Sequence, residues 1–453
     1  MVALGALLIT AAALAADGTG VEWQVATFRA DVTIPIGHAC MGGGIAPAAE
    51  IVDPLHANGV VLLGGGEKPL VFLAVDWCEI RNDAYDHWRA AVAEAAGTGP
   101  ERVLLASVHQ HDAPVVDYRA QELLDGAGLE KSLCDTTFAK DCVARVAEAV
   151  KTALNSPTPV THYGIGMARV EGVGSNRRVV LADGTVTYNR GSATRDGDLR
   201  AQPEGTIDPY LKTLSFWNGD RAVAAISAYS THPMSYYGKG GVSADFVGMA
   251  RAKRQAETPD VFQVYFTGCS GDTTAGKFND GAPENRPVLA EKIYRGMVDA
   301  WTDTKRFPLE GASLRVESLR LVPKNFGGYS EEDARKTLAD GGAKTFQRNL
   351  AAMALSWRER TAQGRAIDVP VADFGHAKFL VLPAESFVLY QIIAQGFSPD
   401  APVVTAGFGE CAPGYIPTAQ ASAEGYNDES WCWVEPGAEP LITEALRLVM
   451  GGR

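Results

Sequence analysis

"VFQVYFTGCSGDTTAGKF" (residues 261–278) runs from an apolar, strand-like segment into a loop of small residues. Its reading decides between two kinds of α/β protein. Gly271, Gly276 and Lys277 fit the G-x-x-x-x-G-K frame of a phosphate-binding loop. That frame asks next for Ser or Thr, to hold Mg²⁺, and then for a helix whose N-terminus cradles phosphates. Here Phe278 comes next, and "NDGAPENRP" (279–287) after it is turn chemistry. The nucleotide reading fails on both counts, so no nucleotide is expected. The strand that runs into Gly268 and Gly271 needs another explanation.

Composition narrows the alternatives. The chain has 453 residues, enough for two or three average domains or one large one, and 46% of them are hydrophobic. A net charge of −13 argues against nucleic acid, whose binders carry basic faces, and against electrostatic adhesion to anionic lipid. The first 20 residues, "MVALGALLITAAALAADGTG", hold an apolar run too short to span a bilayer. The run ends in Ala13-Leu14-Ala15, an A-x-A cleavage pattern. Residues 1–20 therefore read as a signal peptide of an exported protein, or as a buried N-terminal helix. No basic residue opens the leader, so its true start is expected upstream of Met1. No later segment reads as transmembrane. The seven cysteines include no C-x-x-C pair, which disfavours a thiolate zinc site. Cys40, Cys78 and Cys269 flank apolar runs and read as buried thiols.

Short strands and amphipathic helices alternate from about residue 22 to about 305. "VVLLGGGEKPLVFLAVDW" (60–77) reads as a hairpin, and "NDAYDHWRAAVAEAAG" (82–97) as a helix capped by Asn82. "RVLLASVHQH" (102–111) reads as a buried strand. A second hairpin turns at Asn218-Gly219-Asp220. With no repeat and no linker, the expectation is a single α/β domain over 21–453, built on a mixed sheet, with its active site at strand ends and a helical insertion at 306–368.

The strongest local signal is "SVHQHDAP" (107–114). Side chains two apart on a strand share a face, so His109 and His111 are expected together at the end of a strand. His232 in "STHP" (230–233) follows another apolar strand, and Glu385 in "LPAES" (382–386) follows a third. Two half-exposed histidines, a capped strand end and a helix-starting glutamate account for these residues equally well one at a time. Together they suit Zn²⁺, which takes neutral imidazoles and a carboxylate and leaves a position for water.

In this order "VHQHDAP", "STHPMS", "SADFVGMA", "TGCSGDTTAG", "LPAES" and "GYIPTAQASAEGY" resemble the motifs of the neutral/alkaline non-lysosomal ceramidases, over about residues 25–450. "SNRR" (175–178) and "GTIDPYL" (205–211) belong to the same resemblance. It implies a zinc site made by His109, His232, Glu385 and Tyr415. It implies catalytic work for His111 beside the metal, a substrate-side Arg177, and Asp272 and Thr274 in an active-site loop where the opening frame seemed to be a phosphate loop. Thr274 stands where the family has Ser, and Ala275 and Gly276 where it has Pro and Asn. No counterpart of the family's C-terminal β-sandwich is expected within residues 1–453.

The reaction implied is hydrolysis of a linear amide, such as ceramide or a similar N-acyl lipid or small molecule, by metal-activated water. Ester or phosphoester hydrolysis at the same site, or a non-catalytic exported binding protein, are the alternatives. Asp112 is expected to orient an imidazole, and Lys277 to point away from the site or to its rim. A disulfide between Cys411 and Cys432 is expected to hold the Gly- and Ala-rich loop that carries Tyr415, against the alternative of two unrelated thiols.

Overall fold

The computed structural model describes residues 22–426 and 431–451. The 1–20 leader therefore lies outside the described residues. Three sheets organise the rest. The first has strand order Val103–Ser107, Glu67–Val75, His56–Gly64, Trp23–Asp31, Thr158–Val160. The second has Phe262–Thr267, Arg221–Tyr229, Tyr210–Asn218, His162–Arg169, Lys305–Pro308. The third has Ser313–Leu319, Ile367–Asp373, Lys378–Val381, Val403–Ala406. Both hairpins expected from the sequence form, as antiparallel pairs with turns at Gly65-Gly66 and Gly219-Asp220.

The period-two alternation of the first sheet divides its side chains between two cores. Val61, Val71, Leu73, Val103 and Leu105 pack with Trp88, Val92, Val143 and Val146 of the helices Asn82–Ala96 and Thr136–Ala153. Val60, Leu62, Leu70, Phe72 and Leu104 face the other way, into a core shared with Leu214, Phe216 and Ile226 of the second sheet and Phe379 and Val404 of the third. Phe246, Val247, Leu289, Ile293 and Met297 of the helices Asp245–Glu257 and Asn285–Thr302 join that second core. The result is one mixed α/β domain layered helix, sheet, sheet, helix. It explains why runs such as "VLLAS" are apolar throughout: every residue of that strand is buried.

Three local expectations are corrected. The span 306–368 is not helical throughout. Lys305–Pro308 and Ser313–Leu319 are strands of the second and third sheets, and the helical part is Glu331–Ala339 and Thr345–Ala362. Asn82 does not cap its helix. Its backbone lies at φ 52°, its side chain donates to Asp117 and Ser356, and its N–H is taken by Glu410 Oε1 at 2.7 Å. The strand before His109 stops at Ser107, and His109 is left-handed at φ 73°. His109 and His111 are thus brought together by a turn of the chain and not by a shared strand face.

Candidate metal centre

Each sheet contains one parallel pair, and the carboxyl ends of all three pairs meet. Glu67–Val75 runs parallel to Val103–Ser107, Arg221–Tyr229 to Phe262–Thr267, and Lys378–Val381 to Val403–Ala406. The chain after each of these six strands builds the site, the place where open α/β sheets commonly bind ligands. Backbone bonds stitch the ends together. Ser107 N–H donates to Phe408 O (2.9 Å), Gly407 N–H to Thr267 O (2.8 Å), and Thr267 Oγ1 to Val108 O (2.6 Å). His109, Ala384 and Phe408 all hold positive φ here, the local strain that accumulates at functional sites.

His109, His232 and Glu385 converge at this junction, with ligand atoms all within 4.8 Å of one another. Each is almost wholly buried, at 1%, 0% and 2% exposure. His109 Nδ1 donates to Cys78 O (2.8 Å) and His232 Nδ1 to Ser270 O (2.5 Å), which fixes both tautomers. Burial pushes His232 down to about 4, so at neutral pH its Nε2 carries a lone pair. That lone pair points at Glu385 Oε2 from 3.0 Å. His109 Nε2 lies 3.6 Å from the same carboxylate oxygen and has no hydrogen-bond partner. Three acceptors therefore face one another in a dry pocket with no donor among them. That arrangement is costly unless a cation sits between them, and two imidazoles with a carboxylate are donors that zinc accepts.

The other predicted residues surround this point. Glu385–Ser386 pairs in parallel with Tyr415–Ile416, which sets Tyr415 directly opposite Glu385. The Tyr415 ring stacks on His232 at 6.2 Å, and its hydroxyl accepts from Arg177 Nη2 at 3.0 Å. His111 and Arg177 are half-buried and form the more open side. The His111 ring lies 5.2 Å from that of His109 and 5.1 Å from that of Tyr237. Burial and the neighbouring imidazoles hold His111 well below its ordinary value, so it is neutral. Phe408 stacks flat on His109 at 3.9 Å and closes the apolar floor.

The loop of the opening stretch belongs to this site, and both of its frame glycines serve close packing. A Cβ on Gly271 would come within 2.1 Å of Glu385 O, and one on Gly276 within 1.8 Å of Gly191 O. No helix follows until Asn285. The Lys277 ammonium is committed to the carbonyls of Arg200 (2.8 Å) and Gln202 (2.6 Å). Asp272 accepts from Val388 N–H (2.8 Å) and Asn176 Nδ2 (2.7 Å), while its carbonyl takes Arg177 N–H (2.6 Å). Burial raises the Asp272 carboxyl to about 6. Thr274 pairs with Ser175, and its hydroxyl donates to Gly191 O (3.1 Å) and accepts from Gly276 N–H (3.2 Å). Asp112 does not reach an imidazole. It accepts from Gly238 N–H at 2.8 Å, lies 3.9 Å from Arg286, and so holds the loop that carries Tyr237.

The expected Cys411–Cys432 disulfide is absent. Both are buried thiols, Cys411 directed at Gly409 O (3.2 Å) and Cys432 at Val434 O (4.0 Å). Sequence reading missed what holds the loop instead. Arg81, fully buried, donates to Glu79 (2.7 Å), Cys411 O (3.0 Å) and Ala412 O (2.8 Å). The sequence signal was a charged pair, Glu79 and Arg81, two apart after an apolar run.

No protein-family model matches the chain, and no curated protein matches it. Solved structures do. The neutral ceramidase from Pseudomonas aeruginosa superposes with a TM-score of 0.69 at 15% identity, covering 95% of this chain and 74% of that one. A ceramidase complexed with C2 gives a TM-score of 0.67 at 15% identity, covering 94% and 75%. This chain therefore has the neutral ceramidase fold. Among the described residues, no helix is long and apolar enough to cross a membrane.

Proposed function

We propose that this protein is a zinc-dependent hydrolase of linear amides, acting on an N-acyl lipid such as ceramide or on a similar N-acyl compound. The observation that carries this reading is the convergence of His109 Nε2, His232 Nε2 and Glu385 as buried acceptors with no donor among them. The fold shared with the ceramidases supports the amide as substrate.

His109, His232, Glu385 and Tyr415 would hold the metal. When bound, it supplies Lewis acidity toward the carbonyl and lowers the pKa of a water to near neutrality. The chain's own residues do the rest. His111 is half-buried beside His109, where it would take the proton of the attacking water and return it to the leaving amine. Arg177 presents its guanidinium beside Tyr415, where it binds a substrate hydroxyl or the developing oxyanion. Asp272 takes the Arg177 N–H on its carbonyl and Thr274 pairs with Ser175, so both hold the backbone that carries Arg177. Carbonyl attack breaks the C–N bond and leaves an amine and a carboxylate.

One observation favours a second reading. The Thr274 hydroxyl, which stands where the family has Ser, is spent on backbone groups and is not on offer to a substrate. An ester, whose leaving group needs less help, would tolerate that loss. Zinc-loaded protein assayed against N-acyl amides, p-nitrophenyl esters and phosphoesters separates the cases. Turnover of amides at a rate near that of matched esters supports the first reading. Turnover of esters or phosphoesters alone sinks it. The same reading makes the protein exported, without a nucleotide ligand, and N-terminal sequencing of the mature secreted chain tests the leader.

A further inference from the structure

We propose that Arg81, held by Glu79, is the positioning residue for the Tyr415 arm of the metal centre. The inference rests on the reading of Tyr415 as a ligand given above.

The loop from Cys411 to Tyr415 is rich in Gly, Ala and Pro, and no disulfide ties it down. Its return segment, Trp431–Val434, runs antiparallel to it. Tyr415 N–H donates to Trp431 O (2.9 Å), and Trp433 N–H to Pro413 O (3.1 Å). A single buried ion pair grips both segments. Arg81 presents its planar fork to two successive carbonyls, Cys411 O and Ala412 O, and its guanidinium lies 4.5 Å over the Trp433 ring. Glu79 Oε2 takes Arg81 Nη1, and Glu79 Oε1 takes Trp431 Nε1 at 2.9 Å. Arg81 thus holds the outgoing strand of the loop and Glu79 the returning one, four residues before and sixteen after Tyr415 at the outermost grips.

The same pair reaches the other arm of the site. Glu79 follows Cys78, whose carbonyl fixes the His109 tautomer. Glu79 and Arg81 are fully buried, and no substrate can touch them. Arg81 therefore acts through the loop, and a guanidinium suits the task because one rigid group must meet a carboxylate and two carbonyls together.

The test is a double-mutant cycle on zinc affinity, measured by chelator competition, with the visible spectrum of the cobalt-substituted protein as a second readout. Arg81→Lys keeps the charge beside Glu79 but loses the fork to the carbonyls. Arg81→Lys is expected to weaken zinc by about 10-fold, in the range of outer-shell partners, and to change the cobalt spectrum as Tyr415→Phe does. Arg81→Lys combined with Tyr415→Phe is expected to bind zinc no worse than Tyr415→Phe alone. Additive losses, or unchanged affinity in Arg81→Lys, overturn the inference. If Arg81→Lys does not fold, Arg81→Gln combined with Glu79→Gln enters the same cycle, since the pair removes the fork and leaves neither member of the ion pair as an unpaired buried charge. A Tyr415→Phe protein that binds zinc as tightly as wild type sinks the ligand reading itself, and the two failures are thereby told apart.

Discussion

Two buried charged clusters lie side by side in this molecule and are finished differently. Around Arg81 the chain supplies both a cation and the acceptors that meet it. Glu79 takes Arg81 and Trp431, and Asp117 takes Asn82, Ser356 and the Ala120 amide. Around Glu385 the chain supplies acceptors only: a carboxylate and two imidazole nitrogens whose protons are already spent on carbonyls. Both clusters exclude water, so both carry the cost of taking charge out of solvent. The first meets it with its own residues and is structural. The second offers acceptors alone, the donor set of a candidate metal site.

The contrast breaks first at Glu385. Glu385→Gln keeps the shape and removes the charge, and it is expected to lower activity and zinc affinity by more than about 100-fold, beyond what outer-shell partners cost. Zinc retained at wild-type affinity would remove the distinction between the clusters. Arg81→Met should instead destabilise the fold by about 3–5 kcal/mol in chemical denaturation, with or without metal, because it strands a buried Glu79. Replacing both members by apolar residues should recover most of that loss.

Asp272 sharpens the comparison, because it is buried with neutral donors only. Its folded value of about 6 lies above the unfolded carboxyl near 3.8. The native state therefore binds the proton more tightly. The stability this contributes is full below about pH 4 and lost as pH rises through about 6. Relative to Asp272→Asn, the wild type should lose about 2.5 kcal/mol between pH 4 and pH 8, measured by denaturation at each pH. A pH-independent difference would mean that Asp272 is ionised throughout. Zinc at 100 times its dissociation constant should stabilise the wild type by about 2.7 kcal/mol and Glu385→Gln hardly at all. Equal stabilisation of the two proteins would put the ion elsewhere. The smallest effect is expected at Lys277, which bonds two carbonyls at the edge of the site. Lys277→Met should cost about 1.5 kcal/mol and leave zinc affinity unchanged. Micromolar ATP binding lost in that variant would restore the phosphate-loop reading.

Local pattern was enough for much of this molecule. Apolar runs bounded by Gly and Asn-Gly marked the hairpins at 56–75 and 210–229, and an amphipathic stretch ending at Gly97 marked the helix at 82–96. Chemistry-bearing residues after apolar strands marked His109, His232 and Glu385, because a strand end is where a side chain can be polar without breaking a sheet. Three things were not legible. His109 turns at positive φ, because its N–H is taken by Trp77 O and its imidazole N–H by Cys78 O, 32 and 31 residues earlier. Gly271 and Gly276 look like a phosphate loop until Glu385 O and Gly191 O are seen to occupy the space of their missing side chains. The grip on Tyr415 falls to Arg81, 334 positions away, where the spacing of Cys411 and Cys432 pointed to a disulfide. Each of these depends on which strand ends meet. Periodicity and capping act over a few residues, so they set the elements. The meeting of three sheets is set by how their apolar faces pack, and only that packing brings distant acceptors together or supplies a distant charge to satisfy them.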